Sequence, residues 1–515
     1  MNAVNRRRFL SNVGRGMLVG AVGAAGVGQL TFTGNLFGAE WDDRLKFGGL
    51  EPLVDLMQNT PPEKLLPELV ARMKNGLDLK TMTSAAALAN ARRFGGEDYV
   101  GYHTFMALAP AYAMARRLPK DKSALPVLKV IYRNAERIQE DGGGDHDHMH
   151  EINSSSLNTQ SATGQSLQAA VRDQNREVAE QTLAALVDKQ IGEAYNHLQF
   201  AVQDEIDVHR VVLPWRAWST LDIVGSEHAL TLLRQSVRFC VAAERDRINR
   251  GRGPSELREL LPRLIEEHKL LNKPAGTRVL DDAELAKLAK TFYGAGREQA
   301  ATAAAVALSE GVAAESIGEA MSLAASMLVL HDPGRKQSEP GKPVGSIHGA
   351  SVGVHASDSA NAWRNIARVT DDRNRIASLI AGAFHTAGQS GNLNELPWPL
   401  DEHLKPIEAR DPAELLRNLD GAIRENNQAR ATAIVHRYGE LGHAADPVFE
   451  ALLQFATSED GQLHAEKYYC TIVEEFGSSR ESIRWQHLCA LARVTASEFG
   501  GHSKGYQLGC ELLRV

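Results

Sequence analysis

The chain has 515 residues, of which 43% are hydrophobic and 23% charged, and its formal net charge is -7. This length supplies enough apolar material for one large core or for two to three smaller ones. A negative chain has no basic field to attract nucleic acid, so that class of function is excluded. The four cysteines are scattered and form no CxxC pair, so any metal site must use histidines and oxygen ligands.

The N-terminus has the pattern of a twin-arginine export signal. The run RRRFL at positions 6–10 precedes an uncharged stretch, residues 16–39, that is rich in Gly and Ala. This stretch is only mildly apolar, whereas a membrane-spanning helix needs roughly 20 strongly apolar residues. We therefore expect residues 1–39 to be a signal peptide read by the twin-arginine translocation machinery, with a periplasmic mature protein. An uncleaved N-terminal anchor is the alternative, and no stable membrane span is expected after processing.

Helical periodicity dominates the rest of the chain. Apolar residues recur at intervals of three and four in segments rich in Ala, Leu, Glu and Arg, and alternating β-branched runs are nearly absent. The clearest segments are 79–93, 124–139, 178–199, 230–247, 282–293 and 297–330. The sequence therefore predicts an all-α fold. We expect a single large multi-helix domain over residues 40–500, with helices in two layers around a central histidine-lined cavity, and a C-terminal tail at 501–515.

Two polar stretches interrupt the helical pattern. Residues 141–167 are rich in Gly, Asp, His, Ser and Thr, which predicts a mobile loop. This loop contains His146, His148 and His150. Because nothing in a polar, Gly-rich loop fixes the positions of these imidazoles, we expect adventitious metal binding there and not a fixed metal site. Residues 331–346 hold three prolines and three glycines, which predicts a turn-rich connection.

Four other histidines lie inside apolar or amphipathic segments. They are His103 in YHTFM, His209 in VHR, His348 in HGAS, and His464 in GQLHAEK. A single histidine on an apolar face is more often a hydrogen-bonded core residue than a metal ligand. The order and spacing of the four together are what favour a site.

These segments resemble those of the questin oxidase-like family, fungal and bacterial proteins that act on polycyclic quinones, over about residues 95 to 475. The resemblance implies a non-haem iron held by several histidines and by a lysine that CO2 has carboxylated. Carried onto this chain, it implies five metal ligands: His103, His209, His348, His464 and Lys467. Three further histidines are candidate catalytic, substrate-binding or replacement groups. They are His228, His355 and His385.

The pairing of His464 with Lys467 is chemically coherent. The two residues stand at i and i+3, so on a helix they are neighbours on one face. A protonated lysine repels a metal ion, but burial and a metal charge lower the pKa of the amine, and a neutral amine takes up CO2. The resulting carbamate is an anionic oxygen ligand, which together with imidazoles suits Fe(II). The competing interpretation is a surface histidine and lysine beside Glu466.

The sequence thus predicts an exported, metal-dependent oxidoreductase that uses Fe(II) and O2 on a small aromatic or quinone-like substrate. Two alternatives stay open. Paired Ala-rich helices also suit an exported scaffold that catalyses nothing, although the chain has no steady repeat of about 34 to 47 residues. The same histidines also suit a zinc-binding structural protein. No Rossmann glycine fingerprint is present, so neither a nicotinamide nor a flavin is expected.

Overall fold

Helices make up most of the described chain. The computed structural model describes residues 44–152, 161–339 and 342–515, so the predicted signal peptide lies outside the described residues. Within those ranges the chain forms α-helices, short 3-10 turns and no β-strand, and the all-α prediction is confirmed. The helices belong to one compact domain. No helix in the described ranges has the length and apolar character needed to cross a membrane.

The first five helices form the N-terminal part of the domain. They are α1 (Glu51–Asn59), α2 (Pro62–Lys74), α3 (Leu79–Phe94), α4 (Tyr99–Ala115) and α5 (Leu125–Glu140). Helices α3 and α4 begin at Asp78 and Asp98, whose carboxylates accept backbone N–H groups of the first turn. Such caps satisfy donors that have no partner inside the helix.

Six helices follow. They are α6 (Gly164–Arg172), α7 (Arg176–Lys189), α8 (Ile191–Val202), α9 (Val208–Val224), α10 (Ala229–Asn249) and α11 (Leu257–Glu267). The predicted helix over 178–199 is in fact two helices, α7 and α8. Gln190 between them is extended, with φ -166 and ψ 127, so the helical hydrogen-bond ladder stops there.

The next five helices flank the second polar stretch. They are α12 (Asp282–Gly294), α13 (Arg297–Ser309), α14 (Ala314–Leu330), α15 (Val352–Val369) and α16 (Asp372–Gly388). The predicted helix over 297–330 is also divided, into α13 and α14. Gly311 lies in the break with φ +77, a conformation that glycine adopts without the steric penalty of a side chain.

The C-terminal part contains seven helices. They are α17 (Asp401–Leu404), α18 (Pro412–Arg424), α19 (Gln428–Glu440), α20 (Asp446–Ser458), α21 (His464–Ser478), α22 (Glu481–Glu498) and α23 (Lys504–Leu513). The segment 501–515, expected to be a tail, contains α23, which packs against α5 and α2.

Four helices form a closed ring inside the domain. Helix α4 packs against α9 and α21, and α15 packs against the same two partners from the other side. The apolar core has two clusters, one including Phe105 of α4 and Val211 of α9, the other including Tyr468 of α21. Helix α15 contributes Ala360 to the first cluster and Val354 to the second. The ring therefore lies where the two halves of the core meet.

The two polar stretches are partly held by the domain. In the first, Met149 is fully buried and its N–H donates to the carbonyl of Arg92, while Asp147 pairs with Arg44. Residues 153–160 of that predicted loop lie outside the described residues. Its last residues are not a loop, because α6 begins at Gly164 after the cap of Thr163. In the second stretch, the Arg335 side chain donates to Ser346 across the turn, and Lys342 donates to backbone carbonyls at the end of α22.

Candidate functional site

Each helix of the ring contributes one histidine from its N-terminal end. These are His103 of α4, His209 of α9, His355 of α15 and His464 of α21. The ring centroids are 4.8 Å apart for His103 and His209, and 5.9 Å apart for His209 and His355. The ring centroids are 5.1 Å apart for His355 and His464, and 5.3 Å apart for His464 and His103, so the four rings form a closed circle. We call these four residues the histidine cluster.

Three of the four helices begin at a capping side chain that fixes the register of its histidine. Asp98 accepts the N–H of Gly101 before His103, and Asp207 accepts the N–H groups of His209 and Arg210. In α15 the hydroxyl of Ser351 accepts the N–H of Val354. Because a cap sets where a helix starts, these residues determine which face each imidazole occupies.

The fourth helix has a different beginning. Gly461, Gln462 and Leu463 have φ values of +48, +48 and +64, so three consecutive residues before His464 are left-handed. Only glycine adopts this conformation without strain, and each of the other two costs about 1–2 kcal/mol. Leu463 is nonetheless buried in the core, which holds the turn and aims His464 toward the other three rings.

The buried imidazole nitrogens are incompletely hydrogen-bonded. Nδ1–H of His103 donates to the carbonyl of Tyr99 at 2.6 Å, which leaves Nε2 deprotonated. Within the described residues, that Nε2, Nε2 of His209 and Nδ1 of His464 are buried without any hydrogen-bond partner. Nε2 of His355 lies 3.2 Å from Nε2 of His464, so one of these two donates to the other. Unpartnered buried polar atoms are rare in folded proteins and call for an explanation.

Burial keeps three imidazoles of the cluster uncharged. It lowers the pKa of His103 to about 2 and that of His355 to about 4, and it strongly lowers the pKa of His464. The nearby ammonium of Lys467 is the second cause in all three histidines. These imidazoles are therefore neutral near pH 7, which is the form that binds a metal ion.

Lys467 and Asp358 add a buried cation and a buried acid beside the cluster. Burial lowers the pKa of Lys467 to about 8, although the charge of Asp358 opposes the change. Burial also raises the pKa of Asp358, whose carboxylate accepts a hydrogen bond of 2.9 Å from Thr471. Asp358 follows His355 by three residues, just as Lys467 follows His464, so each pair lies on one helix face. Asp358 was missed from the sequence, where only its i+3 spacing from His355 could have indicated it.

Glu466, between His464 and Lys467, belongs to a separate buried ion pair. Its Oε1 lies 2.6 Å from Nζ of Lys129 on α5, and both side chains are almost fully buried. The same ammonium donates to the carbonyls of Ala456 and Glu459 at the end of α20. Lys129 therefore ties the end of α20 to the start of α21, on either side of the left-handed turn.

The remaining predicted site residues lie at other places. His348 is exposed, and its Nδ1 accepts the N–H of Ala350. His228 is half-buried at the start of α10 with its ring 5.7 Å from that of Phe47. His385 is buried, and its Nδ1 accepts Nε1–H of Trp363 at 3.2 Å. The structure therefore brings His103, His209 and His464 together and adds His355, seven residues after His348, as the fourth member.

Aromatic side chains border the cluster on the α4 and α9 side. Tyr99 is 60% exposed, yet its ring centroid lies 4.4 Å from that of His103 and 5.9 Å from that of His209. The rings of Tyr102 and Phe239 also contact His209. We call the rings of Tyr99, Tyr102 and Phe239 the aromatic rim, and Tyr99 is its exposed member.

A small apolar pocket reaches the cluster from the α21 side. It is lined by His464, Phe455, Ala465, Leu491 and Val494, and its volume is about 40 Å³. A single water needs roughly 10–15 Å³, so this pocket admits a few water-sized molecules and no polycyclic compound. The described residues do not show the central histidine-lined cavity expected from the sequence.

Neither a preformed metal site nor a similarity to a known protein assigns a function to the cluster. No group of three or more His, Cys, Asp or Glu side chains in the described ranges is already arranged to hold a metal ion. No protein-family profile matches the chain, and comparisons with curated proteins and with solved structures found no match. We therefore infer the function from the residues themselves.

Proposed function

We propose that the histidine cluster binds a transition-metal ion, Fe(II), and that the protein is an iron-dependent oxidoreductase that uses O2. The observation that carries this proposal is the ring of four imidazoles, three of which have a buried nitrogen without a partner. A bound cation would satisfy the Nε2 lone pairs of His103 and His209 at one point. A purely structural cluster would leave the desolvation penalty of each nitrogen, about 1–3 kcal/mol, without compensation.

The spacing of the rings fits ligands of a single ion. A nitrogen–metal distance of about 2.1 Å puts each ring centroid roughly 3.3 Å from the ion. Imidazoles on a tetrahedral or octahedral ion then have centroids about 4.6–6.6 Å apart. The neighbouring centroids of the cluster, from 4.8 to 5.9 Å apart, lie inside that range. Because the nitrogens do not yet meet at one point, binding requires small side-chain rotations.

The residues around the cluster prepare it for this role. The carbonyl of Tyr99 holds the Nδ1 proton of His103 and so fixes the tautomer that frees Nε2. Asp207 lies 3.5 Å from Nδ1 of His209 and favours the same tautomer there. Oxygen donors beside imidazoles favour Fe(II), and the two candidates are Asp358 and a carbamate on Lys467. When bound, iron supplies the capacity to activate O2, which no side chain of this chain supplies.

The aromatic rim supports the substrate class that we propose. An aromatic or quinone-like molecule would stack on the exposed ring of Tyr99, beside His103 and His209. The resemblance of the histidine segments to questin oxidase-like proteins supports the same class. The narrow apolar pocket on the α21 side suits passage of O2 rather than substrate.

Metal analysis of the protein purified without chelators tests the proposal. We expect an equimolar amount of iron in the wild-type protein and a large loss in His103→Ala, His355→Ala and His464→Ala. His348→Ala is the matched control, because it removes an exposed imidazole from the same segment as His355. Equimolar zinc in place of iron would establish the structural alternative. A protein without metal, or one that loses metal in His348→Ala and not in His355→Ala, would refute the site.

A further inference from the structure

A second, larger pocket lies away from the histidine cluster. Its volume is about 900 Å³, and none of the four clustered histidines lines it. It is an open groove bordered by α6, the end of α8, α11 and the start of α16. Pockets that hold small organic molecules commonly measure about 300–1,000 Å³. The pocket is therefore large enough for a ligand of that kind.

Two cations without an ion pair in the described chain line this pocket, the exposed Lys269 and the partly buried Arg373. Arg373 is the one held in place by its neighbours. Its guanidinium carbon stacks 3.8 Å from the ring centroid of Phe200. Nη1 donates to neutral acceptors only, Gln203 at 2.6 Å and Asn374 at 2.8 Å. Gln203 is fixed from its other end, since its amide nitrogen donates to Ser378. No described carboxylate forms an ion pair with Arg373, and its Nε and Nη2 donate no hydrogen bond within the described residues.

The other arginines of the pocket are neutralised. Arg172 makes two hydrogen bonds to the buried carboxylate of Asp204. Arg258 donates to Glu244 at 2.7 Å and lies 3.4 Å from Asp204. Arg373 alone among these three guanidiniums contacts no carboxylate in the described chain. A partly desolvated guanidinium with two spare, coplanar N–H donors can form two parallel hydrogen bonds to a carboxylate or sulfonate.

The opposite wall of the pocket is apolar. Leu257, Leu261 and Ile265 are spaced by four residues along α11, so they share one face of the helix. Leu271, in the turn after α11, is 53% exposed at the same pocket. An exposed leucine beside two buried ones extends an apolar surface that a ligand could cover.

We propose that this pocket binds a small organic anion with an apolar body. Its carboxylate pairs with Nε and Nη2 of Arg373, and its body lies between Phe200 and the apolar face of α11. The site does not depend on a metal at the histidine cluster. The test of this proposal is therefore independent of the test of the proposed function.

Fluorescence and calorimetric titration with anilinonaphthalene sulfonate test this site in the full chain. We expect saturable binding that Arg373→Gln weakens by about tenfold, the equivalent of one charge-assisted pair. The neutral analogue phenylnaphthylamine should bind the wild-type and Arg373→Gln proteins equally. Naphthalene carboxylate should displace the sulfonate from the wild-type protein.

Two further variants separate this site from general hydrophobic binding. Leu271→Asp places a carboxylate on the exposed wall, should leave the fold intact and should also weaken the sulfonate about tenfold by repulsion. Arg263→Gln is the matched control, because Arg263 is an exposed arginine of α11 that pairs with Glu298 and does not line the pocket. Equal affinity of the wild-type, Arg373→Gln and Leu271→Asp proteins, or no saturable binding at all, would overturn the proposal.

Discussion

At the residue scale, Lys467 is the side chain that most affects the pKa values of His103, His355 and His464. Burial is the main cause that lowers the pKa of His103, His355 and His464, and the Lys467 ammonium is the second cause. The same charge would repel a metal ion. A metal site here therefore requires Lys467 to become neutral or anionic. Loss of one proton from the ammonium gives the neutral amine. Addition of CO2 to that amine forms a C–N bond, releases a second proton and leaves a carbamate, so the side chain changes from a cation to an anion. The lowered pKa of Lys467, about 8, makes the neutral amine accessible near neutral pH.

Replacing Lys467 distinguishes a carbamate from a simple buried ammonium. If the carbamate is a ligand, Lys467→Met removes an anionic oxygen, and metal content should fall steeply even with bicarbonate present. Lys467→Glu should restore part of the metal by supplying a carboxylate. If Lys467 is only an ammonium paired with Asp358, Lys467→Met removes a repulsive charge, and metal content should stay the same or rise. Lys504→Met, at a side chain that is 76% exposed, is the control for loss of a lysine charge.

His487 gives a pH dependence that is independent of the cluster. It is fully buried, with Nδ1 2.7 Å from the hydroxyl of Ser326 and Nε2 3.1 Å from that of Ser479. Burial lowers its pKa from 6.5 to about 4. As the pH falls below 6.5, His487 becomes protonated in the unfolded chain but stays neutral in the folded protein. The stabilisation is therefore present above pH 6.5 and is lost between 6.5 and 4.

The size of this effect can be measured by urea unfolding of the metal-free protein. A shift of this size corresponds to about 2 kcal/mol of free energy of unfolding lost between about pH 7 and about pH 5. We expect His487→Gln to lose about 2 kcal/mol less than the wild-type protein over that interval. An identical pH dependence of the two proteins would show that His487 titrates normally.

At the element scale, the buried Lys129–Glu466 pair joins α5 to the start of α21. Removing one partner leaves an uncompensated buried charge, so Lys129→Met should reduce the free energy of unfolding by about 3–5 kcal/mol. The double variant Lys129→Met/Glu466→Gln removes both charges and should recover part of that loss. Urea unfolding of the two single variants and the double variant gives the coupling energy. Additive effects would mean that the pair does not hold the two helices together.

The sequence predicts His348 as a metal ligand, whereas the structure has His355 in the histidine cluster. The position at which α15 begins explains this difference. The two residues are seven positions apart, and both lie in a segment of small residues. Ser351 caps α15, so His348 lies outside the helix and His355 within its first turns. A serine in that position is a capping signal that the sequence offers, but several serines and glycines nearby offer the same signal. The choice between them is made by packing of α15 against α14, which no local pattern contains.

At the scale of the whole molecule, periodicity predicted the helices well and their ends less well. The intervals of three and four identified α3, α5, α10 and α12 to within a few residues. The same pattern continued through Gln190 and Gly311, where the structure breaks the helices, because Ala-rich segments keep their apolar faces across a short turn. The ring of α4, α9, α15 and α21 could not be read from the sequence, since it depends on contacts between segments that are distant along the chain.

Export is a property of the whole chain that the N-terminal motif predicts. We propose that the twin-arginine machinery reads Arg6 and Arg7 as paired guanidinium groups. Replacing both with Lys keeps the charge but loses the guanidinium geometry, so a reporter fusion should stay in the cytoplasm. Replacing Arg8 alone with Lys is the matched control and should leave export intact. Export of the double variant at the wild-type level would rule out this route.

The ring of four helices has a consequence for how the protein is made. His103 is synthesised 361 residues before His464, which lies beside it in the folded protein. A nascent chain therefore contains at most an incomplete set of imidazoles until its C-terminal helices have been released. At the proposed metal site, full affinity would therefore require that α21 has been synthesised and has packed against α4. A C-terminal truncation that removes α21 should accordingly abolish the cluster, however well the earlier helices fold.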